Sequence, residues 1–91
     1  MENRITLTKL EKYFKITERA LIEIKSKIVK EEEAKEIISM VENYLSDAKY
    51  FLRKKDYVNS FAALNYAYGW IDCGVRLGIF DVKDNQLFTL K

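Results

Sequence analysis

The sequence predicts an all-α protein, an up-down-up three-helix bundle forming a single domain over residues 1–91, with a short C-terminal tail folded back. Three observations carry this. The chain has no proline and only three glycines, so little interrupts its helix-forming Lys, Glu, Ile, Leu and Ala. Apolar residues recur in alternating steps of four and three in three segments, the spacing that places them on one stripe of a helix. Finally, residues 57–78 gather five of the twelve aromatics, the only Trp, the only Cys and all three glycines, with no charge before Asp72. The core is expected to form around that stretch.

The first helix is predicted over about residues 8–29. Thr8-Lys9-Leu10-Glu11 has the form of a capping box. Leu10, Phe14, Thr17, Leu21, Ile24 and Ile28 make the stripe, which Tyr13 and Ala20 widen, whereas Ile16, Ile22 and Val29 fall off it. Near Lys30 the apolar phase slips. Lysines there give way to Glu31, Glu32 and Glu33, as expected where one helix dipole ends and another begins.

The second helix is predicted over 31–54, with Ala34, Ile38, Val41, Leu45, Ala48 and Leu52 as its stripe and Ile37, Tyr44 and Phe51 beside it. Asp56 is the expected N-cap of the third helix, over 57–77, and Gly78 its left-handed terminator. That helix carries two apolar seams. One is Tyr57, Phe61, Leu64, Tyr68, Ile71 and Val75; the other is Asn59, Ala63, Tyr66, Trp70, Cys73, Leu77 and Phe80. A row of small residues, Ser60, Ala67, Gly74 and Gly78, invites close approach of neighbouring helices. Apolar around most of its girth, the third helix is expected to be buried against more than one neighbour, with Trp70, Tyr66 and Cys73 in the core. In the tail, Ile79, Phe80, Val82, Leu87, Phe88 and Leu90 are too apolar for a free solvated end.

Two stretches are similar to known families. Ala48, Phe51, Asp56, Tyr57, Ser60 and Ala67 resemble the helical hairpin of tetratricopeptide repeats, although Lys55 stands at the turn glycine and no second copy follows. More specifically, Asp56-Tyr57, Tyr66-Ala67, Gly69-Trp70, Asp72, Gly74 and Arg76-Leu77-Gly78 resemble the signature of a small archaeal family known as domain of unknown function 357. That resemblance implies a compact three-helix bundle, an archaeal cytoplasmic source and no assigned activity.

The functional expectations are mostly exclusions. There is no histidine, no metal-ligand cluster, no carboxylate pair in an apolar setting and no Gly-rich phosphate loop, so neither enzyme activity nor a cofactor is expected. One cysteine forms no internal disulfide, and the N-terminus lacks a signal-peptide core, which points to the cytoplasm. The longest uncharged run, residues 57–71, is short of the roughly 20 apolar residues of a membrane span and contains Asn59, Ser60 and Asn65. Nucleic acid is disfavoured. Residues 1–30 hold eight cations against four anions, but residues 31–47 hold six anions against one cation and would repel phosphate.

The feature that burial does not account for is a narrow strip on the third helix, Asn65, Gly69, Asp72 and Arg76. Gly69 costs a helix about 1 kcal/mol relative to alanine. Its missing side chain is expected to open a notch beside Asn65 and Asp72, walled by Tyr66 and Tyr68. The expected role is therefore a non-enzymatic interaction module for an unknown protein partner or a second copy of itself. A weak RNA- or DNA-binding accessory protein is the alternative.

Overall fold

A computed structural model describes residues 5–83. It contains three helices, α1 (Leu7–Lys25), α2 (Glu31–Arg53) and α3 (Tyr57–Arg76), packed as an all-α three-helix bundle. Most of the stripes read from the periodicity form its core, although Ile28 is exposed, Ile38 and Leu52 are half-buried, and Ile37, read as flanking, is buried. Leu10, Phe14, Leu21 and Ile24 of α1, Ala34, Val41, Leu45 and Ala48 of α2, and Leu64 and Ile71 of α3 are all buried.

α3 is the hub. α1 covers its first seam, where the rings of Tyr13 and Phe61 lie 5.1 Å apart. α2 covers the small-residue row, and there the Ser60 hydroxyl donates to the Ala48 carbonyl at 2.7 Å in a site closed to water. Ser60, Ala67 and Gly74 are buried along this contact, while Gly78 is not. α1 and α2 touch each other much less. They run antiparallel and are bridged by Lys25–Glu42 at 2.8 Å and Lys49–Glu18 at 3.3 Å. Both pairs are about half exposed, the class worth at most about 1 kcal/mol each.

The ends of the helices show where local signals compete. α1 is capped by Thr6, whose Oγ1 accepts from the Lys9 amide at 3.1 Å, so Thr8 is inside the helix. Ile5, just ahead of that cap, packs against the core and helps to select it. α1 also ends at Lys25, three residues before its apolar pattern does. The cause is long-range. Residues 26–30 turn out of the helix and are tied to the returning chain, with an antiparallel bridge between Ile28 and Phe80. The Val29 amide donates to the Ile79 carbonyl at 2.9 Å and the Asp81 amide to the Lys27 carbonyl at 2.9 Å.

The α2–α3 turn and the end of α3 are both Schellman motifs. At the first, Asp56 N–H reaches Phe51 O at 2.9 Å with Lys55 left-handed at φ 59°. At the second, Ile79 N–H reaches Gly74 O at 2.9 Å with Gly78 at φ 72°. Asp56 caps α3 through Oδ1, which accepts from the Asn59 amide at 3.2 Å. Beyond α3 the tail folds back as its composition requires: Ile79 and Phe80 are buried and Val82 packs against the core. Leu87, Phe88 and Leu90 lie outside the described residues.

One core position is polar without compensation. Thr17 is fully buried, and its Oγ1 has no hydrogen-bond partner among the described residues. A buried hydroxyl left unbonded costs about 1–3 kcal/mol. Thr17→Val keeps the shape and removes the orphan, so chemical denaturation should show a gain of about 1 kcal/mol. A loss of that size would mean that the hydroxyl is satisfied in solution.

Candidate partner-binding surface

α1 and α2 both dock on one side of α3, and this leaves the opposite side bare. Most of the second apolar seam lies on that outer face. Tyr66 and Leu77 are each 62% exposed, Cys73 is exposed, and Trp70 is only partly buried against the core. α3 is buried against two neighbours, as expected, but the expectation that Tyr66 and Cys73 lie in the core is corrected, and Trp70 is only half-buried. A single 19-residue helix and its antiparallel neighbour cover only two flanks of α3, and no fourth element covers the third among the described residues.

Tyr66 does not stand loose. Its ring stacks on Tyr44 of α2, with centroids 5.3 Å apart and planes 23° from parallel. Below it α3 carries a shallow depression of about 300 Å³ lined by Asn65, Tyr66, Gly69, Trp70 and Cys73. A second hollow, lined by Ala62, Asn65 and Tyr66, adjoins it. Gly69 lines the first of these: a Cβ added there meets nothing within 4 Å, so no contact among the described residues requires glycine.

The four strip residues separate into two roles. Asn65 and Gly69 line the depression. Asp72 and Arg76 are not among its lining residues and instead pair with each other, Arg76 Nε donating to Asp72 Oδ2 at 3.0 Å. Tyr66 lines the notch, but Tyr68 does not form its other wall, being buried on the α1 side of the helix. Trp70 and Cys73 line it instead. A finer wheel reading could have found them, since both follow Gly69 within one turn.

Burial, with the charge of Asp72 added, pushes the Tyr68 phenol up from its ordinary 10.0 to about 12. A phenol that keeps its proton better folded than unfolded contributes stability that is complete below about pH 10 and is lost between about pH 10 and 12. Denaturation midpoints should therefore fall across that window, and less so in Tyr68→Phe, where only other groups titrate. Superposable wild-type and Tyr68→Phe profiles would exclude Tyr68 as a cause.

Two other surfaces lie away from this face, of which only the second, a run of cations beside Tyr50, is marked in the sequence. A groove of about 420 Å³ runs between α1 and α2, lined by Glu18, Leu21, Ile22, Glu42, Leu45, Ser46 and Lys49. The stray apolar Ile22, 70% exposed, was its only sequence signal. At the α2–α3 corner Arg53, Lys54 and Lys55 are exposed, with Lys54 Nζ 5.8 Å from the centre of the Tyr50 ring. Among the described residues no group of three or more His, Cys, Asp or Glu side chains is placed to hold a metal ion. No helix among them is long and apolar enough to cross a membrane.

Comparison with curated proteins and with solved structures yields no match to this chain. A family model does match, over residues 12–80, which span all of α2 and α3 and most of α1. The chain therefore belongs to the family of proteins of unknown function DUF357.

Proposed function

We propose that this chain is a non-enzymatic, cytoplasmic protein–protein interaction module that holds its partner on the outer face of α3. The observation that carries this reading is Gly69. It sits in the middle of a helix, costs about 1 kcal/mol of helix stability relative to alanine, and is not needed by any contact among the described residues. A glycine in such a place is useful to something that approaches the backbone closely from outside. Tyr66, stacked in place, and half-buried Trp70 flank it with the aromatic surface typical of interface centres. The depression is too shallow and open to enclose a small ligand, but it suits a side chain from a partner. Cys73 as an exposed free thiol fits a reducing compartment.

A photo-crosslinking side chain at position 69, where there is open space, should give a discrete protein adduct in the source cell. The same group at position 22, in the α1–α2 groove, should not. Adducts from position 22 alone would overturn the placement on α3.

The exposed cluster of Tyr50, Arg53, Lys54 and Lys55 favours the second reading, weak RNA or DNA binding. It has less support, because Lys25 and Lys49 are engaged by Glu42 and Glu18. It predicts retention on heparin and an affinity that falls steeply with salt. Passage through heparin at low salt would remove it.

A further inference from the structure

We infer that the partner on this face is a second copy of the chain, docked antiparallel along α3 about a two-fold axis between Ala67 and Tyr68. The inference rests on the interaction reading above and names its partner. A two-fold interface must be complementary to itself, and this one is. The most outward line of α3 is Ala62, Tyr66, Gly69, Cys73 and Arg76, again in steps of four and three. Facing helices that pack knobs into holes along such a line pair residues in layers. In one antiparallel register Tyr66 meets Gly69 of the partner subunit, and Gly69 meets Tyr66 of the partner subunit. The large ring thus falls opposite the depression that the missing side chain opens. The same register sets Cys73 against Ala62 of the partner subunit and Arg76 against Asn59 of the partner subunit. Every layer joins a larger group to a smaller or polar one, and none joins two bulky side chains.

Charge agrees with this arrangement. Within the face the only charged groups are Asp72 and Arg76, which already neutralise one another. The two ends of the bundle differ in charge. Arg53, Lys54 and Lys55 lie beside Asp56 where α3 begins, whereas where it ends Glu31, Glu32, Glu33 and Asp81 are offset by Lys27, Lys30 and Lys83, since the α1–α2 link pairs with the returning tail. Antiparallel docking lays the basic corner of each copy beside the nearly balanced end of the other. Parallel docking would set basic corner against basic corner.

The test begins with sedimentation equilibrium of the whole chain from about 10 µM to about 1 mM, the span of weak, transient interfaces. A reversible monomer–dimer equilibrium is expected. Gly69→Glu should weaken it by at least about tenfold while the melting temperature holds, because the new side chain has open space in the monomer. A wild type that stays monomeric at the upper limit overturns the proposal, as does Gly69→Glu dimerising normally. Cross-linking then reads the register. Across the axis the two Cys73 positions are about 16 Å apart, at about 1.5 Å of rise per residue. Mild oxidation should therefore leave the wild type uncross-linked and convert Ala62→Cys to a covalent dimer through Cys73. The reverse pattern, in which wild type cross-links through Cys73 itself, overturns the antiparallel register. If the wild type is monomeric but position 69 still cross-links to another protein in cells, self-association fails and the interaction reading survives. If neither occurs, both fail.

Discussion

Phe80→Ala is expected to cost about 3–5 kcal/mol, the range for removing a fully packed aromatic side chain, and so a large part of the 5–15 kcal/mol that holds a typical domain folded. Phe80 is 2% exposed although it lies beyond the last helix. Its ring is packed over Gly74 and close to the Ile37 side chain. Its backbone bridges Ile28, and the residues on either side tie the tail to the α1–α2 link, Ile79 accepting from Val29 and Asp81 donating to Lys27. One residue therefore ties α3, α2 and the α1–α2 link together, the first two through its ring and the third through its backbone. Urea unfolding would measure the loss, and amide exchange should show Val29 and Asp81 released along with it. A cost below about 1 kcal/mol would mean that the tail is not seated in solution.

The same substitution at two glycines of α3 should have opposite signs. Gly69→Ala should stabilise the fold by about 1 kcal/mol, because alanine is the better helix former and its methyl meets nothing. Gly74→Ala should destabilise it. A Cβ there would lie 2.6 Å and 2.8 Å from two ring carbons of Phe80 and 3.0 Å from Ile37 Cδ1. The ring is buried and its backbone is bridged, so it cannot swing aside. Overpacking of this kind costs about 1–3 kcal/mol, and after the gain of about 1 kcal/mol in helix propensity a net loss of up to about 2 kcal/mol is expected. In a Phe80→Ala background the methyl at position 74 would enter the vacated space, and Gly74→Ala should turn neutral or favourable. Thermal or denaturant unfolding of the four variants forms a double-mutant cycle, and additivity would mean that Gly74 and Phe80 are not in contact.

Among the described residues, then, Gly74 is explained and Gly69 is not. That difference is why the interaction face is placed at Gly69, and why Gly69→Glu is a clean probe of docking: it leaves the core alone.

Much of this molecule could be read from side-chain chemistry along the chain. The α1 stripe from Leu10 to Ile24 and the α2 stripe from Ala34 to Ala48 follow from helical periodicity, because a helix with one apolar stripe buries that stripe wherever it docks. Asp56 as a cap and Gly78 as a terminator follow from local hydrogen bonding and backbone freedom, which depend on few neighbours. What only the tertiary structure decided is where several elements compete for one surface or one set of backbone groups. Thr6 and Thr8 offer similar caps, and the packing of Ile5 goes with Thr6. Ile28 continues the α1 pattern, yet its segment leaves the helix and pairs with the returning chain around Phe80, which takes backbone hydrogen bonds on either side of it. The two seams of α3 are nearly equal in apolar character, so periodicity cannot rank them. Two helices can cover only two flanks of a third, and the docking of α1 on the Phe61–Tyr68 side left Tyr66, Gly69 and Cys73 facing outward.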